Sequence, residues 1–364
     1  MELHLIGGFL GSGKTTAIVH AARLLTQRGE RVGIITNEQG KHLVDSGYIH
    51  SQGLLALEVT GGCICCNLDD FEKRIEEITQ RFNPQVLFAE SVGSCADLVA
   101  TVIKPLADYR KISAEPASLS VFTDSRLLLR YLRRQEMPFS EAVIYIFEKQ
   151  IEETDLLIIN KIDLLSEAES EEIVRLAENR YTGKTIRLQD SHQQNDIVDW
   201  LLLIESAGMK PSGESIDLNY DIYAKGEGSF CWLDREIELT FAHQNSGSYI
   251  TQLVEKVFEG LTQSGGTIAH LKFLADSSQI SQKINLTCMD STFPTGAMEE
   301  MKKFTGSPVN LTINAMIVGD LTIHASLLDN IISSFCKENN INIKEAAWFD
   351  RVPGYPRPTM RIGN

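Results

Sequence analysis

The sequence predicts an α/β fold, a doubly wound parallel sheet followed by a smaller α+β domain with the ferredoxin-like order of elements. Three observations carry that expectation. Short apolar runs rich in Val, Ile, Leu and Phe alternate with helical patterns up to about residue 204, which is how a parallel sheet with helices on both faces reads. The stretch ESAGMKPSGESIDLN (205–219), rich in Gly, Ser and Pro, then breaks the pattern as a linker. Beyond it the order becomes strand, helix, strand, strand, helix, strand.

Taken in order, LHLIGG (3–8) is strand-like, and Ile18, Ala21, Ala22 and Leu25 follow at helical spacing up to Gly29. RVGIIT (31–36) and LLALEVT (54–60) read as strands. Leu68, Phe71, Ile75 and Ile78 mark an amphipathic helix that Asn67 is placed to cap. QVLFAES (85–91), SLSVFTD (118–124) and TDLLIIN (154–160) are further buried-strand candidates. After the linker come strand 232–241, helix 248–262, strands 267–275 and 283–289, helix 295–304 and strand 309–318. A last helix carries Leu327, Leu328, Ile331, Ile332 and Phe335 on one side, and the proline-rich end docks as an extended tail. The expected division is therefore 1–204, linker 205–219, a second domain 220–345 and a tail 346–364.

Composition narrows the partners. A net charge of −15 argues against a general nucleic-acid surface or an anionic-membrane surface, since phosphate binding needs a basic field. Seven cysteines, four of them scattered singly, make a poor disulfide framework and fit a reducing compartment. No secretory pattern and no apolar run near 18 residues stand out, so the expected location is the cytoplasm.

GGFLGSGKTT contains G-x-x-x-x-G-K-T at Gly8, Gly13, Lys14 and Thr15, between a predicted strand and a predicted helix. That is a phosphate-binding loop, and it makes the first domain a P-loop NTPase. Gly8, Gly11, Ser12, Gly13 and Thr16 supply backbone around phosphate oxygens, Lys14 their counter-charge and Thr15 a ligand for Mg²⁺. In LLIINKIDLL, Asn160, Lys161 and Asp163 follow a buried strand. A carboxylate at Asp163 accepts two hydrogen bonds from guanine, a pair adenine does not offer, so GTP and GDP are the expected nucleotides.

TGGCICCNLDD puts Cys63, Cys65 and Cys66 into four positions before a helix start. Thiols at a helix N-terminus have depressed pKa values, which favours metal capture. Three soft ligands suit Zn²⁺ or Co²⁺, which the residues alone do not rank against each other or against nickel, and Zn²⁺ usually takes four. Glu38, a water or a group on a partner are the candidates for the fourth. Inert thiols in a small apolar turn are the competing reading; a redox pair would want C-x-x-C spacing.

In this order, GGFLGSGKTT, NEQG, GGCICC, ESVG and NKID resemble the CobW-like family of metal-handling P-loop GTPases, relatives of UreG and HypB. The resemblance covers residues 3–165 and continues more weakly in AHLKFLADSSQISQKINLTC. It implies a Mg²⁺-dependent GTPase that couples nucleotide state to a transition metal on Cys63, Cys65 and Cys66. The metal then passes to a client metalloprotein or cofactor-assembly protein. It also implies that Thr15, Glu38 and Glu90 sit at the switch and Walker B-like positions, near Mg²⁺ and the attacking water, so that Lys14, Glu38 and Glu90 form the catalytic set. Three departures stand out: Gln39 replaces a usual phenylalanine, ESVGSCADL lacks the usual alanine, aspartate and proline after its glycine, and the eight histidines form no His-rich stretch, which argues against metal storage. The alternatives are a GTPase assisting corrinoid-enzyme loading and a static zinc module with a structural nucleotide.

Overall fold

A computed structural model describes residues 1–363 except 38–43, 60–61, 109–114, 207–212, 243–244, 278–279 and 291–292. Its first sheet is built from β1 (Glu2–Gly8), β2 (Val32–Asn37), β3 (Ala56–Val59), β4 (Val86–Glu90), β5 (Glu115–Asp124), β6 (Leu156–Asn160) and β7 (Thr185–Gln189). The order is β3-β2-β4-β1-β5-β6-β7, and every neighbouring pair is parallel. β4 and β6 are buried at every residue, as continuous apolar runs require in a sheet covered on both faces. β7 is an edge strand, half-exposed over most of its length, and was not among the expected strands: TIRLQ alternates polar and apolar residues, but over five positions only.

The intervening helices are α1 (Lys14–Gln27), α2 (Val44–Ser51), α3 (Leu68–Phe82), α4 (Lys104–Asp108), α5 (Ser125–Leu132), α6 (Glu141–Glu152), α7 (Glu167–Arg180) and α8 (Gln194–Ile204). The apolar stripe expected of α3 is fully buried at Leu68, Phe71, Ile75 and Ile78. Trp200 of α8 stacks on Phe88, meets Phe122 edge-on, and donates its indole N–H to Ser120 Oγ at 3.1 Å.

After α9 (Tyr220–Glu227) come β8 (Phe230–Thr240), α10 (Ser246–Gln263), β9 (Thr267–Asp276), β10 (Ser281–Leu286), α11 (Thr295–Lys302), β11 (Val309–Val318), α12 (Leu321–Glu338) and β12 (Asn342–Arg351). The strands form one antiparallel sheet in the order β10-β9-β11-β8-β12. The βαββαβ order is present, with α12 and β12 added. β12 runs to Arg351, so the first residues of the expected tail pair with β8, and the extended stretch begins after the strand. Among the described residues, no helix is long and apolar enough to cross a membrane.

Packing divides the chain into two units, and the division is not the single cut that composition suggests. One unit holds Met1–Gln39, Gln52–Gly226 and Pro356–Asn364; the other holds Gly40–Ser51 and Glu227–Tyr355. The reason lies in strand alternation. Leu271, Phe273, Ile313 and Ala315 point to a core shared with α10, α11 and α12, while Lys272 and Asn314 point to the opposite face. There Asn314 Oδ1 accepts the Val44 N–H at 2.9 Å, and the buried Asp45 carboxylate pairs with both Lys272 and Lys283. α2 therefore belongs to the second unit although it is encoded inside the first. Asp45→Ala would remove the carboxylate that two nearly buried ammonium groups share. We expect it to destabilise this unit by about 3–5 kcal/mol in denaturant unfolding; a loss below about 1 kcal/mol would show that the pair does not hold α2.

Candidate functional site

Parallel strands end at one edge of their sheet, and the chain's chemistry-bearing residues collect on the loops there. The first loop joins β1 to α1. Gly8 has φ +124, and a Cβ there would lie 2.1 Å from the Phe122 carbonyl oxygen. Gly13 has φ +90, and its Cβ would meet Asn160 Nδ2 at 2.3 Å. Only glycine fits either place. Gly11 on this loop and Thr16 in the first turn of α1 are half-exposed, and the Ser12 hydroxyl is buried without a hydrogen-bond partner among the described residues. Lys14 Nζ folds back to donate to the carbonyls of Gly8 at 2.7 Å and Phe9 at 3.3 Å. A buried orphan hydroxyl, a helix N-terminus and an ammonium held by backbone carbonyls suit a phosphate chain, which would take the ammonium from those carbonyls.

Thr15 Oγ1 lies 2.9 and 3.0 Å from the two Glu90 carboxylate oxygens, donating to that carboxylate from α1 to the end of β4. A hydroxyl and a carboxylate are the hard oxygen ligands that Mg²⁺ takes. Glu38, expected to join them, lies outside the described residues.

Asn160, at the end of β6, donates from Nδ2 to the Ser12 carbonyl at 2.7 Å. Its Oδ1 accepts from Ser191 N–H at 3.2 Å and Ser191 Oγ at 2.8 Å. One side chain thus ties three loops together. Lys161 sits in the left-handed region at φ +61, and its ammonium pairs with Asp124 at 3.1 Å. Burial would raise the Asp124 pKa, but Lys161 and Arg126 outweigh it and hold the carboxyl down at about 2. Asp163 follows in a single 3-10 turn, Ile162–Leu164. Its carboxyl is raised, first by burial and then by Asp190. Ser191 is the member of this group that sequence reading missed; β7, which delivers it, was not among the expected strands.

β3 does run parallel to β2, and this brings the cysteine loop to the same edge. Cys66 and Asn67 both donate their N–H to the Cys63 carbonyl, closing a tight turn. The Sγ atoms of Cys63, Cys65 and Cys66 all lie within 4.8 Å of one another, with Cys63 and Cys65 at 2.8 Å and Cys65 and Cys66 at 4.0 Å. No disulfide is present among them. Two thiolates on a tetrahedral Zn²⁺ lie about 3.8 Å apart, given Zn–S bonds of about 2.3 Å. The group thus needs only a small spreading to take an ion. Hydrogen bonding by Cys65, then by Cys66 and Cys95, holds the Cys63 thiol well below its usual range against the effect of burial. Its neighbours are driven the other way: Cys65 is pushed well up by Cys63, and Cys66 is pushed up to about 12 by the same partner. Hydrogen bonding within the cluster therefore favours the charged form at Cys63 and the neutral thiol at its two neighbours.

Two supports of this turn come from afar. Asn37, the last residue of β2, donates to the carbonyls of Val59 at 3.2 Å and Gly62 at 2.8 Å and accepts the Ile64 N–H at 2.8 Å. From the chain's end, Thr359 donates its N–H to the Cys65 carbonyl at 3.1 Å, and its hydroxyl bonds the Cys66 carbonyl at 3.1 Å and the Leu68 N–H at 3.3 Å. Asn67 holds the cap position of α3 but makes no side-chain cap bond, contrary to the expectation from sequence. Thr359 meets the first helical N–H instead. Arg361 pins this tail segment through the buried Asp97 carboxylate at 2.7 Å.

Comparison with known proteins agrees with this arrangement. The nucleotide-binding domain of the CobW/HypB/UreG family matches residues 2–187, just over half of the chain. A zinc chaperone CobW of Sinorhizobium sp is 30% identical over 183 residues, covering 44% of this chain and 51% of its own. The zinc chaperone YeiR of Escherichia coli (strain K12) is 32% identical over 169 residues, covering 44% and 46%. The urease accessory protein UreG of Aliarcobacter butzleri (strain RM4018) is 27% identical over 210 residues, covering 54% of this chain and 95% of that one. The chain thus spans about half the length of the two zinc chaperones it matches. With the family's domain filling residues 2–187 and its phosphate loop, Asn160–Asp163 loop and cysteine turn gathered at one sheet edge, the chain belongs to the CobW/HypB/UreG family.

Proposed function

We propose that this protein is a GTP-hydrolysing metallochaperone or metal-dependent regulator, carrying Zn²⁺ or Co²⁺ on Cys63, Cys65 and Cys66 to a client protein. The observation that carries this reading is the Asn37 brace. A single side chain at the end of β2 makes three hydrogen bonds to the segment that holds the cysteines. The next residue is Glu38, the switch position that the family resemblance assigns. Any rearrangement of that switch on GTP binding or hydrolysis pulls on the metal-holding turn.

In this reading Gly8, Gly11, Ser12, Gly13, Lys14, Thr15 and Thr16 cradle the phosphates, and Asn160, Lys161 and Asp163 read the guanine. Thr15 and Glu90 would hold Mg²⁺, which when bound neutralises charge on the transferred phosphoryl group. Glu38 and Glu90 would orient the attacking water. Zn²⁺ is favoured over Co²⁺ by the close-set soft thiols and by the likeness to the two zinc chaperones above. Cys66, the half-exposed sulfur of the group, is where a client's own ligand first meets the ion.

Linkage makes the coupling measurable from either side, because an effect of GTP on metal affinity equals the effect of metal on GTP affinity. Chelator-competition titrations of Zn²⁺ in GTP and in GDP should differ by roughly 5- to 150-fold, the usual range of such couplings. Identical affinities in the two nucleotides would leave the cysteines a static structural site and defeat the chaperone reading.

A further inference from the structure

Cys63 and Cys65 are buried, whereas Cys66 is the half-exposed sulfur of the group. The direction of its side chain is set by the two peptide planes that flank its Cα, because planar peptides leave only φ and ψ free there. Each of those planes is held at both edges. In the first, the Cys66 N–H donates to the Cys63 carbonyl at 3.0 Å, and the Cys65 carbonyl accepts the Thr359 N–H at 3.1 Å. In the second, the Asn67 N–H donates to the same Cys63 carbonyl at 2.9 Å, and the Cys66 carbonyl accepts from the Thr359 hydroxyl at 3.1 Å. Thr359 Oγ1 also accepts the Leu68 N–H at 3.3 Å, so one residue grips the turn and the start of α3 together.

We infer that Thr359 is a positioning residue of the metal site: it fixes the backbone on both sides of Cys66 and so keeps that sulfur beside Cys63 and Cys65. This rests on the reading of the C-x-C-C turn as a metal carrier, and it names what holds the exposed ligand. The three Sγ atoms are gathered within 4.8 Å of one another without an ion. A turn closed only from inside would leave both planes hinged on one atom, the Cys63 carbonyl oxygen. Thr359 supplies the opposite edge. Ligands ordered before the ion arrives lose less freedom when it binds, so the grip is expressed as metal affinity.

Thr359 can do this because the residues that follow it are themselves anchored. Arg361 Nε donates to the buried Asp97 carboxylate at 2.7 Å, and its Nη2 to the Ile216 carbonyl at 2.9 Å. The Ile362 N–H donates to the Ala100 carbonyl at 2.9 Å, and the Ile362 carbonyl accepts from Ser215 Oγ at 2.8 Å. Packing places Pro356–Asn364 and the cysteines in the same unit. Thr359 meets the turn at its carbonyl and N–H groups, so it acts through the backbone of the cysteines.

The test is chelator competition for Zn²⁺ on the reduced protein and two variants, alongside their thermal unfolding. Thr359→Val keeps the shape of an exposed side chain and removes its hydroxyl, so the fold should be untouched. Its Zn²⁺ affinity should fall by roughly 10- to 100-fold, the usual cost of losing an outer partner of a metal site. Thr359→Ser retains the hydroxyl and should restore most of that loss. GTP affinity, measured without metal, should be the same in all three, because the variants leave the phosphate loop and Asn160–Asp163 unchanged. Wild-type Zn²⁺ affinity in Thr359→Val, or a Thr359→Ser as weak as Thr359→Val, would overturn the role of Thr359 and leave the C-x-C-C reading standing. A matching loss of GTP affinity would mark a general loosening and overturn it too. A wild type that retains no Zn²⁺ would overturn both readings.

Discussion

Lys14→Ala is expected to abolish GTP hydrolysis while leaving the protein folded. The Lys14 ammonium is buried at the N-terminus of α1, where its partners are the Gly8 and Phe9 carbonyls of its own loop. The loop itself is shaped by Gly8, Gly13 and the Asn160 cross-link. A triphosphate in the loop would draw the ammonium onto its terminal oxygens, where negative charge accumulates as the phosphoryl group departs. A preorganised donor of this kind is worth roughly 10²–10³-fold in turnover. Single-turnover hydrolysis with saturating GTP, together with thermal unfolding of the variant, separates chemistry from folding. Retention of more than about a tenth of the wild-type rate would remove Lys14 from the mechanism.

Base selection should show an equally large effect. With Asp163 intact, GTP should bind far more tightly than ATP, up to about 10⁴-fold, as in sites built to hydrogen-bond a substrate group that a competitor lacks. Guanine offers a ring N–H and an exocyclic amine side by side, and one carboxylate accepts both. Asp163→Asn turns one acceptor into a donor. It should therefore lose GTP and gain xanthosine triphosphate, whose base carries an oxygen where guanine has the amine. The surroundings favour a specific rather than a general loss. Asp163 lies in one short turn entered through the left-handed Lys161, and Ser125 Oγ holds the Lys161 carbonyl at 2.8 Å. Competition binding of GTP, ATP and xanthosine triphosphate to both proteins checks this. Equal affinity of the wild type for GTP and ATP would refute the assignment.

The elements that sequence reading found are those whose signal is local. β1, β4, β6 and the stripe of α3 are apolar runs or periodic faces, and a residue's neighbours within a few positions suffice to define them. The phosphate loop is legible for the same reason: its glycines are needed within one turn of chain. Asp163 and the three close-set cysteines are likewise short motifs, and their delivery to one sheet edge follows from parallel strands. β7 escaped because its alternation spans five residues with only two apolar ones, Ile186 and Leu188, and no apolar run.

Sequence alone thus determined the parallel sheet, the phosphate loop, the candidate guanine reader and the presence of a thiol cluster. Tertiary structure decided what surrounds them. Asn37, at the end of β2, reaches the segment that holds the cysteines with three hydrogen bonds, to the Val59 and Gly62 carbonyls and from the Ile64 N–H. Thr359 reaches Leu68 across 291 positions and takes over the helix cap that Asn67 was expected to supply. The short helix α2 leaves the first unit because Asp45 finds its counter-charges on Lys272 and Lys283, 227 and 238 positions away. Periodicity records which face of an element is apolar, and it holds no information about which distant residue will share that face. A buried charge or thiol must find its partner wherever the chain's path happens to bring one, so those pairings exist only once the chain has folded.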